Sequence, residues 1–177
     1  MVSIRIIISL LIFACAGCAH PISEAMRQGL DPSVSLSGLF ESPETYKGKR
    51  VMLGGVITET RNLPQRTEIE VVQKNLDSYG YVESGDKTIG RFIFSQPGYL
   101  ESEVYSKGRT IVGAGKVLGG KKGKIGERDY LFPLIEAEEI HLWENYKDYY
   151  YYDPYYLYYP FSPYYYPYGF RAFGHHY

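Results

Sequence analysis

The sequence predicts a mainly β fold: a small five-stranded OB-like barrel, with a short sandwich as the alternative. Three observations carry that expectation. Five stretches with strand character fall between Lys49 and Leu142. Gly54-Gly55 and the small residues 113–115 sit inside two of them, where glycine marks a bulge, a tight bend or a close backbone approach. Helical periodicity is almost absent, and closing a small sheet on itself removes its unpaired edges.

The chain has 177 residues, enough for one domain of ordinary size. Nineteen Lys and Arg stand against 20 Asp and Glu. That balance gives no support to a dedicated nucleic-acid binder, which would be strongly basic. Two cysteines, Cys15 and Cys18, exclude a disulfide scaffold and a four-cysteine metal site.

Residues 1–5 are a charged start with Arg5, and residues 6–17 are an apolar run broken only by Ser9. A bilayer-spanning helix needs roughly 20 apolar residues. A charged start, a shorter apolar run and small residues after it describe a cleaved export signal. The run ends in Ala14-Cys15-Ala16-Gly17-Cys18. Ala16, Gly17 and Cys18 resemble the lipobox of bacterial lipoproteins, although Cys15 stands where that pattern usually has Leu. The resemblance implies cleavage before Cys18, lipidation of its thiol and acylation of the new amine. A single acyl chain holds a protein only marginally, at ~0.8 kcal/mol per buried methylene, so stable anchoring takes more than one. Ala19, in place of the Asp that retains such proteins in the inner membrane, implies export to the outer membrane.

Residues 18–35 read as a tether with one helical turn, and residues 36–48 as short helical turns, with Pro43 at a first helical position and Gly48 as a stop. Strands follow at 51–60, 67–72, 91–95, 109–119 and 130–142, the last bent or edged by Pro133. Residues 61–66 and 120–123 (GKKG) read as turns, 75–88 as a loop and 96–108 as a connection. The β domain thus spans residues 36–144. Beyond it, 14 of the 20 Tyr fall in 146–177, interrupted by Pro154, Pro160, Pro163 and Pro167. Proline at that spacing breaks helix and interior strand alike, so 145–177 reads as an extended or disordered low-complexity tail.

Behind the lipobox stand YKGKRVMLGGVI (46–57), TEIEV (67–71), GRF (90–92), YSKGRTIVGAGKV (105–117) and GKIGERDYLFPLIEAEEIHLW (123–143). In this order they resemble the Slp family of outer-membrane lipoproteins. The resemblance implies a lipid-anchored protein of the Gram-negative outer membrane, linked to starvation and envelope stress. It supplies no activity and no catalytic residues.

The residues themselves offer few sites. Glu68 and Glu70 share a strand face. Such a pair can act as acid and base when its two environments differ, but an alternating strand more simply presents them to solvent. No nucleophile-elbow, catalytic-triad or zinc-protease spacing occurs, so the expectation is no enzyme, no catalytic residue and no cofactor. Lys121, Lys122, Lys124 and Arg128 surround a predicted hairpin tip and form a basic cluster suited to anionic lipid or phosphate. His175 and His176 lack a third ligand, so no metal site is expected. His141 and Trp143 end the last strand, where the indole is expected to cover the barrel end. The expected partners are outer-membrane lipid through the acyl chains, and lipopolysaccharide, peptidoglycan or envelope proteins, with no nucleic acid. The tyrosines of the tail supply rings suited to stacking on sugars or on other chains.

Overall fold

The computed structural model describes residues 20–144. Five strands, β1 (Arg50–Asn62), β2 (Arg66–Lys74), β3 (Arg91–Pro97), β4 (Thr110–Ile125) and β5 (Arg128–Leu142), close into a barrel in the order β1-β2-β3-β5-β4. Neighbours are antiparallel except β3 and β5, which run parallel from Ile93↔Leu134 to Ser95↔Glu136. This is the OB strand order, as expected.

Alternation divides the side chains. Ile57, Ile69, Val71, Phe92, Phe94, Ile111, Val117 and Ile135 point inward and form the main core. Phe92 and Phe94 meet edge to face at 4.9 Å. The barrel curls where side chains are missing: a Cβ at Gly55 would strike the Val72 carbonyl, and one at Gly115 the Glu136 carbonyl. Two short helices precede the sheet, α1 (Glu24–Gln28) and α2 (Leu36–Glu41), followed by a 3-10 turn at Pro43–Tyr46 with Pro43 in its first turn. Ser35 caps α2 by accepting from Gly38 N, and Leu39 is fully buried in the main core.

Three expectations need correction. The GKKG turn does not exist. Gly119, at φ +118°, sits at a register shift, and its neighbour Gly120 donates its N–H to Glu44 Oε1 at 2.8 Å. The glycines bend β4, which continues as a long arm with β5 and turns only at Gly126, φ +61°. Pro133 lies in that arm, just before the three residues that pair with β3.

The stretch read as a tether is docked from His20 onward. Ile22 is fully buried against Val112 and Ala114 on the outside of β4, with Met26, Leu30, Met52, Leu76 and Trp143 packed around it. Ser23 donates through its N–H and hydroxyl to Glu139 at 2.9 and 2.8 Å. An uncovered row on β4 gave Ile22 an apolar surface to lie on, which composition alone does not show. For the same reason Trp143 does not cover the barrel end. It packs on this outer patch, while α2 contributes Leu39 to the main core, with Phe40 packed against it.

Candidate functional site

OB barrels take ligands on the β2–β3 face and its flanking loops. Glu68 and Glu70 are the outward carboxylates of β2, yet their side chains are only 1% and 7% exposed. The reading of a solvated face is therefore overturned. Burying an ionised carboxylate is costly unless charge and hydrogen bonds compensate, and the surroundings supply both. Lys121, reaching in from the β4–β5 arm, bonds to Glu68 Oε2, and Arg66 Nη2 stands 3.5 Å from Oε1. Arg91 donates to Glu70 Oε1 at 2.8 Å, Thr58 Oγ1 donates to the same oxygen at 3.0 Å, and Arg61 Nη2 lies 3.6 Å from Oε2. Each carboxylate is thus held by two cations. Arg61 Nε also lies 3.7 Å from Glu59 Oε1, so four cations face three carboxylates.

Beside it lies an open groove of about 480 Å³. Leu63, Pro64 and Gln65 of the β1–β2 turn form one wall with Arg66, and Ser95 and Pro97 of β3 form another. Ser95 stands between Glu68 and Glu136 in register, so the groove crosses β2, β3 and β5 on the outer face. Its chemistry is one guanidinium, one amide, one hydroxyl and one carboxylate among apolar side chains, a mixture suited to a polar ligand.

The basic cluster expected at a hairpin tip is divided. Paired residues of an antiparallel ladder share a face. Lys121 sits with Phe132 and Arg128 with Ile125, while Lys122 and Lys124 sit opposite Leu131 and Asp129 on the other face. Lys121 is also committed to Glu68. The four cations therefore do not converge. Arg61, Arg66 and Arg91 were missed as members of a site. The signal was present in the alternation of TEIEVV, but its burial depends on an arm contributed by residues about 50 positions away.

His141 and Trp143 are edge to face at 4.6 Å, and Tyr81 stacks on Trp143 at 4.1 Å and 21°. Among the described residues no group of three or more His, Cys, Asp and Glu is arranged to hold a metal, and no helix is long and apolar enough to cross a membrane. Cys18, His175, His176 and the tyrosine-rich segment lie outside the described residues.

A family model described as the outer membrane lipoprotein Slp family matches residues 15–171. The chain belongs to that family. An uncharacterized protein of Haemophilus influenzae is 33% identical to this Slp-family chain over 147 residues, 79% of the chain and 76% of the relative. The Escherichia coli outer membrane protein Slp is 24% identical over 75% of the chain and 71% of its own length, and the E. coli uncharacterized lipoprotein YeaY is 24% identical over 72% and 66%. Among solved structures, the Saccharomyces cerevisiae mitochondrial single-stranded DNA binding protein Rim1 has a TM-score of 0.34 at 10% identity, over 56% of this chain and 98% of that one. A likeness that slight says nothing about nucleic acid here. Membership of the Slp family makes this chain kin to outer-membrane lipoproteins, and the match begins at Cys15.

Proposed function

We propose that the chain is lipidated at Cys18, anchored to the outer membrane, and acts without catalysis, supporting envelope stability or survival under starvation and stress by binding through its barrel. The observation that supports this reading is how few residues separate the lipobox-like junction from the folded domain. The small-residue junction Ala16-Gly17-Cys18 stands four residues ahead of Ile22, which is locked into the barrel's outer surface. A lipid at Cys18 would therefore stand one residue, Ala19, ahead of the described part of the domain. The buried ion network supports a non-catalytic role, since each carboxylate is bound by cations and shielded from solvent.

For the ligand, the groove beside Arg66 favours a glycan of the envelope with anionic groups, as in lipopolysaccharide or peptidoglycan. Mass spectrometry of the mature N-terminus tests the anchor: acyl groups on Cys18 are expected, and Cys18→Ala is expected to leave the outer-membrane fraction. Retention on purified lipopolysaccharide or peptidoglycan, weakened in Arg66→Ala, tests the ligand. Retention on neither removes the binding reading and leaves the anchor standing.

A further inference from the structure

The 75–82 segment forms a small hydrogen-bonded knob at the end of the β2 ladder. Leu76 bridges to Val82, Asp77 N–H donates to the Tyr81 carbonyl, and Gly80 N–H returns to the Asp77 carbonyl. Asp77 Oδ1 accepts from both Tyr79 N and Tyr81 N, at 2.8 and 2.9 Å. The sequence Tyr79-Gly80-Tyr81 at the tip has a reason for its central glycine. Gly80 holds φ +80°, and an added Cβ would come within 3.0 Å of His20 and Pro21. The knob therefore rests on the first described residues of the chain. Tyr79 is 62% exposed and Tyr81 50% exposed; Tyr99, in the loop after β3, is 67% exposed.

His20 is two residues beyond Cys18. Two residues of chain span at most about 7 Å, so a lipid on Cys18 enters the bilayer close to the knob. Trp143 stacks on Tyr81 and packs in the same outer patch as Ile22. Tyrosine and tryptophan favour the membrane–water interface, where the ring body is apolar and the hydroxyl stays wet.

From this juxtaposition we infer that the Tyr79–Tyr81 knob is a membrane-contacting surface. The two rings seat in the headgroup layer beside the acyl anchor and fix the orientation of the barrel on the outer membrane. The knob faces lipid, and the β1–β2 turn with its groove, at the opposite end of the nine-residue β2, faces away. The inference rests on lipidation of Cys18.

The test uses the full-length protein, processed in cells and reconstituted in vesicles of phosphatidylethanolamine and phosphatidylglycerol in a three-to-one ratio. Since cleavage would remove Cys15 and lipidation would block Cys18, a Ser78→Cys thiol at the knob is the only free one, as is Gln65→Cys at the far turn. Each is labelled with a polarity-sensitive fluorophore and compared with the same label in buffer on a leaderless chain that begins at Ala19, which holds neither Cys15 nor Cys18. The label at position 78 is expected to shift to shorter wavelength in vesicles and the label at 65 to stay unchanged. Tyr79→Ser, which leaves the Tyr81–Trp143 stack in place, is expected to reduce the shift, and Tyr79→Ser with Tyr81→Ser to remove most of it. No shift at 78 in a protein whose acyl groups are verified by mass overturns the knob and spares the anchor. Equal shifts at 78 and 65 overturn the orientation. Absence of acyl groups removes both readings.

Discussion

Lys121, on the long β4–β5 arm, bonds to Glu68 on β2, 53 residues away. This contact ties the arm to the barrel wall and places a carboxylate in a site with almost no access to water. Breaking a buried pair by removing one member typically costs ~3–5 kcal/mol, because the other is left uncompensated. Arg66 still faces Glu68 when Lys121 is lost, so Lys121→Met is expected at about 1–3 kcal/mol, below that range. Glu68→Leu together with Lys121→Met is expected to be less harmful than the sum of the two single changes. Urea unfolding of the four chains reads this coupling, and strict additivity would show that the two residues act independently.

Ile22 tests whether the segment after the anchor belongs to the domain. It is fully buried, so Ile22→Ala is expected to lower stability by about 2–3 kcal/mol, near the small end of the range for deleting a large aliphatic side chain, because the patch lies on the outside and can relax. Limited proteolysis should then cut near Arg27 before the barrel unfolds. Unchanged stability and protection would return residues 20–35 to the status of a tether.

Gly55 and Gly115 test the curl of the barrel. Each faces a backbone carbonyl of the neighbouring strand with no room for a methyl group. Gly55→Ala is expected to destabilise severely, while Gly126→Ala, with open space around it, is expected to pay only the cost of its positive φ. Comparing their thermal midpoints decides the matter: similar losses would mean that close strand approach is not what the glycine at 55 serves.

Arg50 and Glu138 give a pH dependence. The guanidinium donates to both carboxylate oxygens, at 2.6 and 3.1 Å, and Lys116 lies 3.3 Å from one of them. The hydrogen bond from Arg50, more than any other contact, holds the Glu138 carboxyl below its ordinary range. A carboxyl with a depressed folded pKa adds stability that is present above its unfolded value, about 4.3, and is lost as pH falls through the folded one. Glu138→Gln is therefore expected to destabilise at neutral pH and to be nearly silent in strong acid. The effect is small and falls with salt, because solvent reaches the pair. Denaturation at both pH values, with and without added salt, measures it.

Much was legible before any coordinates. Alternation in TEIEVV and RFIFS, the glycine pairs, and the scarcity of helical patterns led to five strands and to the OB-like closure, because each is a local property of the chain. GKKG was misread for a physical reason: two adjacent glycines permit a turn and a bulge alike, and only the continuing ladder to Lys124↔Asp129 shows which occurs. Glu68 and Glu70 were placed on the correct strand and face, but their burial was not legible. It depends on a cation from an arm whose length had been cut short by that misread turn.

The sequence by itself determined the strand-forming segments, the lipobox-like junction at Cys18, and the kinship to a family of outer-membrane lipoproteins. Those are patterns of neighbouring residues, and neighbours are what a sequence records. Only the tertiary structure decided that Ile22 is docked, that the β2 carboxylates are buried among four cations, and that Tyr79 and Tyr81 stand beside His20. Each of these brings together residues far apart in the chain, and burial is a property of what covers a side chain rather than of the side chain itself.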